Sequence, residues 1–165
     1  MSKAVLISIK PKWCELIASG KKTIEVRKTI PRLEVPFRCY IYETSGRKYE
    51  NIGVYDPSAL LYKDFLHHPQ RVIGEFVCAE IERYARYHRF KEPLRYMRSN
   101  SDGYPADEIH YADLMISPSD LEKYGRGAPV FGWCISDLVI YDEPMELSKF
   151  AVKCPPQSWC YAEEL

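Results

Sequence analysis

The chain has 165 residues and a mass of 19.3 kDa, and 46% of its residues are hydrophobic, which is ordinary for one soluble globular domain. This composition excludes the disordered and fibrous classes. Because 23 basic and 23 acidic side chains give a formal net charge of zero, an anionic ligand would need a local basic patch. The N-terminal apolar run at 4–9 is too short for a signal peptide or a membrane span, so we expect a cytoplasmic protein without membrane association.

The first part of the chain predicts a strand, a helix and two more strands. The apolar run "AVLISI" at 4–9 has the β-branched composition of a strand. Pro11 suits the first position of a helix, and Gly20 suits the position just after its end. The segments "KTIEVRK" (22–28) and "FRCYIYE" (37–43) predict the next two strands.

The middle of the chain predicts an excursion followed by a long strand. Residues 44–70 are rich in Gly, Asn, Asp and Pro around a short apolar patch, which indicates an excursion with one small helix. Residues 71–84 form the longest strand candidate. Within it, Gly74 predicts a bulge or a close backbone approach.

Two helices and a last strand are predicted after residue 100. Pro105 is placed to begin one helix, while Ser117 is placed to cap another that closes at Gly125, which together predict a helical insertion at about 100–125. Residues 130–141 predict the final long strand. The tail has no clear period.

This order of elements indicates the fold class. Five or more strands, several of them joined by turns rather than long helices, predict an α+β protein with a small β-barrel and short helices on its rim. We expect a single domain over 1–165, because no linker or internal repeat interrupts the chain.

The stretch "GKKTIEVRK" carries three charged side chains, Lys22, Glu25 and Arg27, which we call the charged trio. Strand alternation places Thr23 on the same face as Glu25 and Arg27. One interpretation is a half-exposed strand with a weakly stabilising ion pair. The other is a cleft with Trp13 on one wall, in which the trio binds a phosphate and a polar base edge.

A second candidate surface is the basic stripe, residues 83–98. It holds six cations and one acid, interleaved with tyrosine and phenylalanine, a composition suited to single-stranded RNA. Within it we expect Arg86, Arg89 and Arg95 to contact RNA. The alternative is a solvated surface around a strand end.

Six cysteines show no C-x-x-C spacing, and no histidine has zinc-site spacing relative to them. We expect buried reduced thiols at Cys39, Cys78 and Cys134, with no metal and no cofactor. Cys154 and Cys160 lie close in sequence, and whether they pair or bind metal stays open.

The segment "IKPKWCELIASGKKTIEVRK" resembles the signature G-x-K-x-x-E-x-R of the ASCH domain family, with Gly20 and the charged trio matching it in full. The later segments "VIGEF", "GWCISDLVIYDEPMELSKF" and "PQSWCY" resemble prokaryotic and phage members of that family. The resemblance implies a PUA-like β-barrel, mixed and largely antiparallel, that binds RNA or nucleotides.

By the same resemblance, the charged trio would line a cleft together with Lys10 and Trp13. One branch of the family resembles an N4-acetylcytidine amidohydrolase, in which the motif lysine is catalytic. Lys22 matches that lysine, but Glu25 stands where the branch has a catalytic threonine. Lys22 and Glu25 are therefore our catalytic candidates, and whether the protein is an enzyme stays open.

Further ligand-binding candidates lie along the chain. They are Thr23 beside the trio, Glu75 in an apolar strand, where pairing with an arginine is the alternative, and Ser158 and Trp159, where capping of the barrel by Trp159 is the alternative.

Two other functions stay open. One is a metal-independent ribonuclease in which the trio's cations stabilise the phosphate and Glu25, His88 or His110 is the base. The other is a non-catalytic protein-interaction module.

Overall fold

The computed structural model describes residues 3–45, 68–88 and 93–165. Most of the predicted excursion at 44–70 and one candidate RNA contact, Arg89, lie outside the described residues. Within the described ranges, eight strands and a few short helices follow one another. The strands are β1 (Lys3–Ile9), β2 (Ile24–Arg27), β3 (Phe37–Glu43), β4 (Arg71–Tyr87), β5 (Arg95–Ser99), β6 (Pro105–Asp107), β7 (Val130–Met145) and β8 (Trp159–Glu163).

The helices are short. They are α1 (Pro11–Ala18), α2 (Tyr111–Leu114), α3 (Pro118–Gly125) and a 3-10 turn, Leu147–Phe150. As predicted, Pro11 stands at the start of α1, and Gly20 follows its end with a φ of +72°. The predicted capping of α3 is also confirmed, because the Ser117 hydroxyl accepts a 3.1 Å hydrogen bond from the backbone N–H of Asp120.

The sheet is mixed and largely antiparallel, as predicted. Its hydrogen-bonded order is β2–β7–β4–β3–β1–β8, with β5 paired to β4 and β6 paired to β5. β1 runs parallel to β3 and antiparallel to β8. The fold class is therefore α+β.

The chain divides into two compact units. The first comprises the described parts of 1–20, 37–77 and 137–165, and the second those of 21–36 and 78–136. β4 and β7 each contribute residues to both units. The expectation of one domain over 1–165 stays a prediction.

The first unit has its core between β1, β3 and β8. Alternate residues of these strands, among them Leu6, Tyr40 and Ala162, pack with Val72 and Phe150. Gly74 is a point of close backbone approach, as predicted, since an added Cβ would collide with the carbonyl oxygen of Val139.

The second unit has its core under β2. Ile24 and Val26 pack against Tyr84 and Tyr96, and the inner residues of α2 and α3, Leu114 and Leu121, close that cluster. Packing on this side of β2 leaves its other face for the polar side chains of the same strand.

One prediction about the elements was wrong. Pro105 does not begin a helix, because Pro105–Asp107 is a strand that forms a hairpin with β5. The Asn100 side chain accepts hydrogen bonds from the N–H groups of Asp102 and Tyr104 and fixes the turn between them. The helix of this region begins further along, at Tyr111.

The tail also forms a strand, β8, although its sequence shows no clear period. Cys160 and Ala162 of this strand pack on the core of the first unit, and pairing with β1 stabilises the rest of it.

Candidate functional site

Strand β2 positions two members of the charged trio in the second unit. Because Ile24 and Val26 enter the core, Glu25 and Arg27 lie on the opposite face, as the alternation predicts. The strand is buried on both faces, so the half-exposed strand of our first interpretation is wrong. Trp133 of β7 stands directly opposite Glu25 and, by antiparallel register, shares its face.

The three charged side chains form one buried network. Glu25 Oε1 lies 2.9 Å from Arg27 Nη2, and Glu25 Oε2 lies 3.4 Å from Lys22 Nζ. Lys22 Nζ also donates a 2.6 Å hydrogen bond to the carbonyl oxygen of Leu114. The exposed fractions of Lys22, Glu25 and Arg27 are only 3%, 6% and 9%. One carboxylate thus pairs with two cations, and all three side chains are shielded from bulk water.

Lys22 reaches this network from the turn that precedes β2. The following residue, Thr23, fixes the turn through its backbone, since its N–H donates to the Asp113 carbonyl and its own carbonyl accepts from the Ile135 N–H. Leu114 ends α2, and carbonyls at a helix end lack helical partners. Lys22 therefore binds an acceptor that the helix leaves available. Thr23 itself is exposed.

Burial is the main electrostatic influence on Lys22. Desolvation lowers the pKa of its ammonium below 10.5, and Arg27 lowers it further, while the Glu25 carboxylate opposes the change without reversing it. The charged form of Lys22 is therefore less favourable here than in water. This is the direction expected of a lysine that serves as a base.

One aromatic residue near the trio was not among the sequence candidates. The Tyr124 hydroxyl lies 3.5 Å from the carbonyl oxygen of Val26, and Lys28 Nζ lies 5.0 Å from the centre of its ring. Burial raises the pKa of Tyr124, while Arg27 lowers it and Glu25 raises it. Its signal in the sequence was its place near the end of a predicted helix, which does not show what the side chain faces.

Two arginines of the basic stripe pair with acids from further along the chain. Arg95 lies 2.8 Å from Glu108, and Arg86 lies 3.3 Å from Glu122. Both ion pairs border an open cavity of about 490 Å³. The acidic surplus that follows the stripe in sequence therefore folds back onto it. The assignment of Arg86, Arg89 and Arg95 to RNA stays a prediction.

Arg98 is held by a similar arrangement. It pairs with Glu80 at 3.0 Å and with Glu82 at 3.3 Å, and Glu82 also accepts a 2.6 Å hydrogen bond from Tyr84. Glu80, Glu82 and Cys134 form a group with ligand atoms within 4.8 Å of one another. Burial raises the pKa of the Cys134 thiol to about 11, so the thiol is protonated near neutral pH.

Five other candidates belong to the first unit. Glu75 pairs with Arg38 and accepts a 2.5 Å hydrogen bond from the Tyr141 hydroxyl, which matches the alternative given for it. The remaining four are spread over several segments: Lys10 precedes α1 and is exposed, Trp13 lies in α1, Ser158 bonds through its carbonyl to the Ser8 N–H, and Trp159 begins β8.

All six cysteines lie in the described part of the chain and carry reduced thiols, including Cys154 and Cys160. Cys39 and Cys78 are buried as predicted, and Cys134 is partly buried. Burial raises the pKa of the Cys78 thiol to about 12, which keeps it protonated and unreactive near neutral pH.

Known proteins resemble the chain in both sequence and fold. The family model described as ASCH domain matches residues 7–126. Three similar solved structures come from Zymomonas mobilis. The first is an ASCH protein with 20% identity and a TM-score of 0.61, and the match covers 98% of this chain and 88% of that one. Its serine-to-alanine mutant has 19% identity, a TM-score of 0.60 and coverages of 98% and 89%, and its tyrosine-to-phenylalanine mutant has 19% identity, a TM-score of 0.58 and coverages of 99% and 92%.

These structures share the PUA-like fold that we predicted. No curated protein gives a significant match. Among the described residues, no helix is long and apolar enough to cross a membrane.

Proposed function

The chain belongs to the ASCH domain family, and on that premise we propose that it binds RNA or a modified nucleotide through Lys22, Glu25 and Arg27. The family is a PUA-like family associated with RNA binding. The charged trio, together with Gly20, matches the family signature in full.

One observation supports the trio as the binding site: two buried cations share a single carboxylate. The two cations therefore carry their positive charge in a place where water screens it poorly. A phosphate oxygen or a base carbonyl bound there would offset part of the cost of burying that charge. Such a ligand gains from a geometry that Glu25 and Leu114 already hold in place.

The experiment compares two neighbouring lysines. Lys22→Met removes the buried charge and keeps most of the side-chain volume, whereas Lys21→Met removes an exposed charge one residue earlier. Binding is measured by fluorescence anisotropy with a short labelled oligocytidine RNA and by calorimetry with N4-acetylcytidine. We expect Lys22→Met to lose about 1–3 kcal/mol of binding free energy, the size of a charge-assisted hydrogen bond.

Lys21→Met should retain nearly the affinity of the unmodified protein. Equal affinity for the unmodified protein and a folded Lys22→Met variant would contradict the proposal. If the unmodified protein binds neither probe, the protein-interaction module becomes the better description.

A second candidate function is hydrolysis of a modified nucleoside. The observation that favours it is the lowered pKa of Lys22, which brings the amine closer to the range of a general base. The observation against it is Glu25, which stands in place of the catalytic threonine and is engaged by both cations. Binding without turnover is therefore our main proposal.

A further inference from the structure

Tyr124 is a large aromatic side chain that the fold leaves open to solvent on part of its surface. Its exposed fraction is 37%, although its hydroxyl reaches the carbonyl oxygen of Val26 at 3.5 Å. Val26 lies between the two trio members of β2. A tyrosine side chain has few torsions to immobilise, so it presents its ring with little loss of conformational freedom.

The Tyr124 ring already has a cation–π contact with a lysine. Lys28, the residue directly after β2, is exposed, and its Nζ lies 5.0 Å from the centre of the Tyr124 ring. A cation–π contact at an exposed site is weak, so a flat nucleobase can replace the ammonium on the ring at a small cost in free energy. Once displaced, Lys28 is an exposed ammonium on a flexible stem, which suits it to pair with a phosphate.

Tyr124 also lies within electrostatic reach of the charged trio. Arg27 and Glu25 act on the phenol in opposite directions, and these effects fall off with distance. Tyr124 also contacts Val26 of β2, and Lys28 contacts the Tyr124 ring. Tyr124 and Lys28 are therefore exposed residues beside the buried charged trio, and all of them belong to the second unit.

We propose that Tyr124 and Lys28 form a stacking platform for one base of single-stranded RNA beside the charged trio. The Tyr124 ring stacks on the base, and the Lys28 ammonium moves from the ring to the phosphate of that nucleotide. Stacking accepts any base because every base has a flat π face, so the platform contributes affinity rather than sequence choice. This inference rests on the proposed function, because it assigns further contacts to the same site.

The test uses the full chain and the labelled oligocytidine RNA. Tyr124→Leu removes the ring and keeps an apolar side chain, whereas Tyr124→Phe keeps the ring and removes the hydroxyl. The matched control is Tyr104→Leu, because Tyr104 is a more exposed tyrosine, at 68%, in the hairpin of the same unit. We expect Tyr124→Leu to weaken binding roughly 5- to 150-fold, the size of one base–aromatic stack.

Tyr124→Phe keeps the ring that stacks and should retain most of the affinity that Tyr124→Leu loses. Tyr104→Leu should bind nearly as the unmodified protein does. Lys28→Met gives an independent measurement, since loss of one phosphate contact should lower the salt slope of single-strand binding by about 0.7.

The outcomes separate the two proposals. If Lys22→Met weakens binding while folded Tyr124→Leu and Lys28→Met leave both affinity and salt slope unchanged, the platform is wrong and the proposed function survives. If Tyr124→Leu and Tyr104→Leu weaken binding equally, the platform is also wrong, because the loss is then common to exposed tyrosines. Absence of binding by the unmodified protein would overturn both.

Discussion

The ammonium of Lys22 donates a 2.6 Å hydrogen bond to the backbone carbonyl of Leu114, a residue 92 positions further along the chain. This bond joins the turn before β2 to the end of α2. It holds the Lys22 ammonium beside Glu25, whose carboxylate also pairs with Arg27. The ammonium therefore has two kinds of acceptor, a carbonyl dipole and a carboxylate. Their unequal roles lead to the first prediction.

Glu25→Gln should be the most destabilising single change in the charged trio. It leaves the two buried cations without their shared carboxylate, and breaking a buried ion pair in this way costs about 3–5 kcal/mol. Lys22→Met and Arg27→Met each leave Glu25 paired with the other cation, so each should lower the free energy of unfolding much less. Urea unfolding of the three variants measures the order.

The double variant Glu25→Gln with Lys22→Met is the control for that prediction. It should recover part of the lost stability, because only one buried cation of the trio then lacks the carboxylate. Three equal single-variant effects would mean that the carboxylate is not the centre of the network.

The second prediction concerns pH. Lys22 has its pKa lowered in the folded protein, mainly by burial, so the unfolded chain binds more protons between that lowered pKa and 10.5. The free energy of unfolding that depends on Lys22 should therefore rise with pH across this window and level off above 10.5. Below the window Lys22 is charged in both states, and the free energy of unfolding is then lowered by the whole amount that corresponds to its pKa difference.

This pH effect is measured as a difference between the unmodified protein and Lys22→Met. Buried tyrosines such as Tyr84 and Tyr141, whose pKa values are raised, make stability fall at high pH. They are present in both proteins, so their effect cancels in the difference. A difference that stays flat up to pH 10.5 would contradict the lowered pKa of Lys22.

The alternation of "KTIEVRK" was sufficient to predict which β2 residues enter the core and which carry charge. It was not sufficient to predict how deeply the charge is buried, because the covering groups come from distant segments. The acceptor at Leu114 is a backbone carbonyl, which has no signature in the sequence. The same limit applies to Trp133, whose place opposite Glu25 depends on the register of β7.

Local charge was a poor guide to the surface for a related reason. The basic stripe and the acidic segment after it look like separate patches in the sequence. In the fold, the hairpin of β5 and β6 and the helix α3 bring Glu108 and Glu122 to Arg95 and Arg86. Only the three-dimensional arrangement shows that these charges cancel.

The third prediction follows from this cancellation. Glu108→Gln together with Glu122→Gln should release Arg95 and Arg86 and strengthen binding of single-stranded RNA at low salt. The salt slope should steepen by about 0.7 for each arginine that then meets a phosphate. Adding Arg86→Ala and Arg95→Ala to the same protein should return the slope to its original value. An unchanged slope in the glutamine variant would show that RNA does not contact the stripe.

The last prediction concerns chemistry at Lys22. Hydrolysis of N4-acetylcytidine needs a nucleophile or an activated water beside a base, held within hydrogen-bond reach. Glu25 stands where the amidohydrolase-like branch has its catalytic threonine, and its two oxygens face Lys22 and Arg27. The nearby Thr23 is exposed, while its backbone fixes the turn. We therefore expect the unmodified protein to bind the nucleoside without releasing acetate.

The measurement is acetate release under single-turnover conditions, with the protein in excess and Lys22→Met beside it. A catalytic acid–base group usually contributes about 100-fold or more to the rate, so an enzyme should show clear release that the variant loses. A binding protein should release no acetate in either form, and the variant should lose only affinity. Release by the unmodified protein that disappears in a folded Lys22→Met variant would replace the binding function with a hydrolase in which Lys22 is the base.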